Sequence, residues 1–234
     1  MNINTNLIWQ RFQPYLQQHS PDPLYAIRDT QAGYLTTSPK YLDYFAPKEP
    51  QADVLQSLDN FAFDLASKQS ILVKDRQTLT QTSLTLALET FIINNRLIVL
   101  EVYRYPLIFN QQVVALGVVA EPLLEKANPT SGETTHYLQT ESTPEHPQLS
   151  HREWLIGLLL LLDWNTMAIA THLRISKSRL NQIFARICRY RFWETGAAAR
   201  YRQLLIETGM YKNIPLDLLL AYAPKLANTS QTLN

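Results

Sequence analysis

One stretch constrains the fold of this chain more than any other. Leu149 to Arg191 reads LSHREWLIGLLLLLDWNTMAIATHLRISKSRLNQIFARICRYR. An apolar helical segment leads through a short turn to Ala168-Ile169-Ala170-Thr171-His172-Leu173. Arg174-Ile175-Ser176 follows, and then a basic segment. No acidic residue lies between Trp164 and Trp193, while Arg174, Lys177, Arg179, Arg186, Arg189 and Arg191 all fall there. A short helix, a tight turn and a positively charged second helix is the arrangement by which proteins insert a helix into the DNA major groove.

The charge of the chain is divided accordingly. The net charge is +1 over 234 residues. Residues 1–148 carry 10 Lys+Arg against 15 Asp+Glu, and residues 149–234 carry 11 against 5. A basic C-terminal half is drawn to phosphate and an acidic N-terminal half is not. A hydrophobic fraction of 46% is enough for real cores and too high for a disordered chain. The single cysteine, Cys188, excludes an intrachain disulfide and any multi-cysteine zinc site. The N-terminus lacks the pattern of a signal peptide, and the apolar run Trp154 to Leu162 is far short of the roughly 20 residues that span a bilayer. The expectation is a soluble, cytoplasmic protein without membrane contact.

Residues 3–18 have the spacing of a short amphipathic helix, with Ile8, Phe12, Tyr15 and Leu16 on one face and Pro14 near its end. Such a helix either covers a sheet or pairs with a second subunit, which makes these residues dimerisation candidates. Leu24 to Arg28 and Tyr34 to Thr37 read as strands around a turn closed by Gly33. Ser38-Pro39 opens a helix, and residues 46–78 read as polar and mostly helical, with Asp53, Val54, Leu55, Leu58, Leu65, Ile71 and Leu72 among their members. Three strand patterns follow: Leu84 to Ile93, Leu97 to Phe109 with a bend expected near Pro106, and Val113 to Ala120. Asn94-Asn95 and Asn110-Gln111-Gln112 supply the turns. This order predicts an α+β domain over residues 21–125, with helices on one face of an antiparallel sheet. Residues 126–148, rich in Pro, Ser, Thr and Glu, read as a linker, and residues 149–234 as an all-α domain.

In the basic helix, Leu180, Ile183, Phe184 and Ile187 recur at helical spacing and form the expected buried face. Lys177, Ser178, Arg179, Asn181, Gln182, Ala185, Arg186 and Arg189 are the candidate DNA-binding residues. Asn and Gln bond bidentately to adenine, and Arg to guanine. Ser176 is a natural N-cap, and Thr166, Arg174 and Ser176 are candidates for the DNA backbone or the turn.

This segment resembles the helix-turn-helix of LuxR-type transcription regulators without a gap over about forty positions. Leu149-Ser150-His151-Arg152-Glu153 matches that family's opening, Ile169, Ala170 and Leu173 its first helix, and Ile175-Ser176 its turn exit. The resemblance implies that Asn181, Gln182 and Ala185 face base edges. His151 stands where Pro is usual, Asp163 where Gly ends a helix, Arg174 where Gly is common in the turn, and Asn181 where Lys is usual. A residue other than Gly at a positive φ costs on the order of 1 kcal/mol. An ordinary three-helix bundle with a solvated basic face is the competing reading.

Ala26-Ile27-Arg28-Asp29 with Gly33, and the final hairpin Leu97 to Ala120, resemble a PAS domain over roughly residues 20–125. PAS domains bind haem, flavin or small metabolites, or mediate dimerisation. No histidine lies between His19 and His136, so a core haem ligand is lacking. Without a cysteine in this half, a flavin–cysteine adduct is excluded there. Tyr25, Phe61, Phe63, Phe91, Leu100 and Tyr103 either line a ligand pocket or pack the core, and core packing is the favoured reading.

Asp64, Asp75, Glu89 and Glu101 have no His or Lys beside them in sequence and read as solvated faces. Metal-ligand spacing and a Gly-rich phosphate loop are absent, so neither a metal nor a cofactor is expected, nor an enzyme. The two domains together, at this length, are similar to the TraJ-type activators of conjugative plasmid transfer operons, as is the pattern around Ile187-Cys188-x-Tyr190. That resemblance implies a homodimer bound to double-stranded DNA, with RNA polymerase or nucleoid proteins as further partners. The alternative is a small-ligand-sensing adaptor that acts through protein partners.

Overall fold

The computed structural model describes residues 5–45, 57–93, 96–123, 149–188 and 196–222. The chain divides into two compact units, one of residues 1–93 and 98–139, the other of residues 140–234 with residues 94–97. The expected linker, the Asn94-Asn95 turn, Asp53, Val54, Leu55, Arg189 and Tyr190 lie outside the described residues.

In the first unit the elements follow the expected succession. They are α1 (Thr5–Leu16), β1 (Leu24–Asp29), β2 (Tyr34–Thr37), α2 (Pro39–Phe45), α3 (Leu65–Gln81), β3 (Thr85–Ile93), β4 (Arg96–Phe109) and β5 (Gln112–Pro122). The strands form one sheet in the order β2-β1-β5-β4-β3. β1 pairs antiparallel with both β2 and β5, and β5 with β4. Asp29 makes the first turn. Its Oδ1 accepts from the N–H groups of Gln31 (2.8 Å) and Gly33 (2.7 Å). A Cβ at Gly33 would sit 2.7 Å from the other carboxylate oxygen, which is why the turn demands glycine. Asn110 and Gln111 both take positive φ, as a two-residue hairpin loop between β4 and β5 requires. β4 runs through Pro106, and the register shift falls just after it, between Leu107 and Ile108.

Side chains alternate across the sheet, so it carries two apolar layers. Leu24, Ala26, Leu116, Val118 and Ala120 pack with Tyr41, Phe45, Phe61, Phe63 and Ile71 from the α2–α3 side. Ile27, Ala115 and Val119 pack with Ile8 and Phe12 of α1 on the opposite face. Helices therefore cover both faces, not the single face expected, because α1 uses its apolar stripe on its own sheet. Phe12 is fully buried over Gly117, where a Cβ would lie 2.3 Å from the ring. Gly117 is opposite Ile27 on one side and Tyr105 on the other, so the missing side chain leaves a dent in the sheet that the Phe12 ring fills. Burying a Phe contributes about 2–3 kcal/mol.

α3 departs from the apolar pattern. Its buried positions are Ser67, Ile71, Lys74, Asp75 and Thr78, while Leu65 (71%) and Val73 (59%) are exposed. A polar stripe faces inward because it meets the charged interior described below.

The second unit is helical as expected: α4 (His151–Leu161), α5 (Thr166–His172), α6 (Lys177–Ile187) and α7 (Ala197–Glu207), with residues 216–222 again helical. α4 is its central element. Ile156 and every leucine from Leu158 to Leu162 are buried, a run too apolar for a surface helix. Gly157 permits close approach of α7, since a Cβ there would lie 2.8 Å from Leu205. No helix among the described residues is long and apolar enough to cross a membrane.

Candidate nucleic-acid interface

Three N-caps and two left-handed turns set the path from α4 to α6. Ser150 and Glu153 form a reciprocal capping box at the start of α4. Asn165 caps α5 through Ala168 N–H at 2.8 Å, with Thr166, a candidate for the DNA backbone or the turn, as the first residue of the helix. Ser176 caps α6 through Arg179 N–H at 3.1 Å.

After α4, Trp164 N–H bonds to Leu159 C=O and Asp163 N–H to Leu160 C=O, with Asp163 at φ 59°. After α5, Ile175 N–H bonds to Ala170 C=O and Arg174 N–H to Thr171 C=O, with Arg174 at φ 52°. Both are Schellman turns, whose left-handed position favours glycine. Sequence comparison singled out these same two positions as lacking glycine. Each turn is held by an arginine from another helix. Arg202 of α7 donates to Leu160 C=O (3.2 Å) and reaches Asp163 (3.3 Å), and Arg152 of α4 donates to Leu173 C=O (3.1 Å).

α6 divides as its periodicity demands. Leu180, Ile183, Phe184 and Ile187 are buried. Lys177, Ser178, Arg179, Asn181, Gln182, Ala185 and Arg186 are exposed, as are Arg174 and Ser176. Arg179 Nη1 donates to Gln182 Oε1 at 3.1 Å, so two candidate contact residues are linked before any ligand arrives. Arg186 is set apart from this group. Its Nη2 lies 2.5 Å from Glu153 Oε1. Burial raises the Glu153 pKa, but the bonds from Ser150 and Arg186 outweigh it and hold the carboxyl below the usual range. Arg186, expected to read bases, makes a contact between α6 and α4 in the structure and stays 66% exposed at its side chain. Glu153 and Asp163, the acids of the α4–α6 segment, are thus each engaged by an arginine, and no carboxylate stands on the exposed face of α6.

His151 pairs with Asp217 at 2.7 Å and His172 with Tyr222 at 2.6 Å. The bond from His151 holds the Asp217 carboxyl below its ordinary range. No group of His, Cys, Asp and Glu among the described residues is arranged to hold a metal.

The candidate pocket of the first unit is not one place. Phe63, Phe91 and Leu100 line an interior cavity of about 20 Å³ with Arg28, Glu89 and Arg104, room for about one water. Tyr25 and Tyr103 pack on the other face with α1, because alternation sends them away from Leu24 and Val102. Ile8 and Phe12, candidates for dimerisation, are buried against their own sheet, with Tyr15 and Leu16 half-buried there.

Three of the acids expected to be solvated are buried. Asp75, Glu89 and Glu101 are 3%, 4% and 8% exposed, and Asp64 caps α3 through Ser67. Asp75 meets Arg28 at 2.6 Å and Arg104 at 2.9 Å, while Glu89 meets Arg104 at 2.6 Å and Lys74 at 3.3 Å. Burial lowers the pKa of both arginines, and the carboxylates reverse this and raise it above the ordinary value. The network joins residues far apart in sequence, so no local pattern signalled it.

No protein-family model and no curated protein matches the chain. Among solved structures it is similar to the Vibrio cholera VqmA–ligand–DNA complex, at 16% identity and a TM-score of 0.43 over 88% of this chain and 92% of that one. It is also similar to the phage VqmA–DPO complex, at 16% and 0.45 over 93% and 97%. The PAS domain of nitrogen regulation protein NR(II) from Vibrio parahaemolyticus is 22% identical at 0.33, over 47% of this chain and 96% of that one.

Proposed function

We propose that this chain is a sequence-specific DNA-binding transcription regulator that places α6 in the major groove of duplex DNA. One observation carries the reading. α6 follows a tight turn from α5, buries a complete apolar stripe, and presents Lys177, Ser178, Arg179, Asn181 and Gln182 outward with no competing carboxylate. The cations attract phosphate, and the amides of Asn181 and Gln182 have the donor–acceptor pairs that base edges require. An adaptor helix would not need such a one-sided charge.

Two copies acting together would place two such helices about 34 Å apart, one turn of DNA. The PAS-like first unit is the proposed dimerisation or sensory part, with contacts other than the buried Ile8 and Phe12. Activation of a plasmid transfer operon rests on the TraJ-type resemblance. Recovering the DNA bound by the full chain in cells tests the proposal. We expect a discrete set of promoter sites sharing one motif. Uniform recovery, or none, would refute it.

A further inference from the structure

We propose that the interior of the first unit holds one small monovalent anion, seated between Arg28 and Arg104. Two independent deficits meet at this place. The first is in hydrogen bonds. Arg28 (2% exposed) and Arg104 (1%) are buried; Arg28 Nε and Arg104 Nη1 find no acceptor among the described residues, and Arg28 Nη1, Asp75 Oδ2 and Glu89 Oε1 are met by ion contacts without hydrogen-bond geometry. Their other contacts are spoken for, since Arg28 Nη1 and Arg104 Nη2 make the close ion contacts to Asp75 and Glu89. A guanidinium has five N–H donors and no acceptor, so its remaining donors need an oxygen or a halide.

The second deficit is in charge. Arg28, Arg104 and Lys74 bring three positive charges to the network, and Asp75 and Glu89 bring two negative ones. Among the described residues a single negative charge is missing, in a region where uncompensated charge is costly. Both arginines line the same small cavity, whose other walls include Phe45, Phe63, Phe91, Leu100, Val102 and Val118, together with Glu89, whose carboxylate is engaged by Arg104 and Lys74. Tyr41, also on the wall, is bonded to Tyr34 through its hydroxyl at 3.0 Å. A water molecule would satisfy the donors and leave the charge. An anion satisfies both. At about 20 Å³ the cavity takes a single small group and excludes larger metabolites.

The test is independent of DNA. The full chain is melted in sodium gluconate, whose anion is too large for the cavity, and then with chloride, bromide or formate substituted at constant ionic strength. We expect a saturable rise in the melting temperature of the first unit of about 5 °C. A rise with halides alone identifies a halide, and one with formate alone a carboxylate. Arg104→Met removes the rise. Should that variant fail to fold, crystals of the unaltered chain grown in bromide or formate supply the answer. For a halide, an anomalous bromide peak between Arg28 and Arg104 is expected; for a carboxylate, formate density there. Identical melting in all four salts, or a cavity that holds only water in both crystals, would overturn the proposal.

Discussion

Arg186 Nη2 lies 2.5 Å from Glu153 Oε1, tying the exposed helix α6 to the capping box of α4. Arg186 is 66% exposed at its side chain while Glu153 is 10% exposed. The pair ties α6 to the core helix α4. Because one partner is so exposed, its coupling is expected to be small, about 0.5–1 kcal/mol in a double-mutant cycle with Glu153→Gln and Arg186→Gln. Urea unfolding in a Trp9→Phe background, which confines the signal to the tryptophans of the second unit, checks the value.

The same carboxyl sets a pH dependence. Its folded pKa lies below the unfolded value of about 4.3. The stabilisation is therefore present above that value and is lost as pH falls through the folded pKa. We expect the second unit to weaken below about pH 4.3 and Glu153→Gln to flatten that part of the profile.

Phe12 and Gly117 make a second testable contact. Gly117→Val should expel the Phe12 ring and release α1, costing about 3 kcal/mol. Trp9, 5.6 Å from Tyr25 between ring centroids, reports the release as a red shift of its emission. Unchanged stability and emission would show that α1 does not depend on the dent at Gly117.

Arg174→Gly separates stability from affinity. Relief of the positive φ should stabilise the second unit by about 0.5–1 kcal/mol, partly offset by the greater freedom of glycine in the unfolded chain. Loss of one cation beside α6 should weaken DNA binding at low salt. A variant that is less stable would place the strain elsewhere.

Asn181→Ala is expected to relax base preference at its position by about 1–3 kcal/mol while leaving the salt response intact. Binding-site selection with the native and altered chains measures this, and equal base preference in both would remove Asn181 from the readout.

What sequence made legible was local. Strand and helix order, the Asp29–Gly33 turn and the buried stripe of α6 follow from neighbours within a few residues, where periodicity and turn chemistry act, while the two positions lacking glycine came from the LuxR-type resemblance. What it hid was long-range. The inward face of α3 is polar, so its burial leaves no hydrophobic spacing to read, and the apolar Leu65 is exposed. Asp75 and Glu89 looked solvated because Arg28 and Arg104, which neutralise them, arrive from other strands. Arg186 has the residue type of a base reader, and only the fold brings Glu153 to it.

The salt dependence of duplex DNA binding by the full chain tests the central claim most directly. A log–log plot should fall steeply, and Lys177→Ala and Arg179→Ala should each reduce the slope by roughly 1 per protomer. A flat plot, or a steep one that neither substitution changes, would contradict the role assigned to α6.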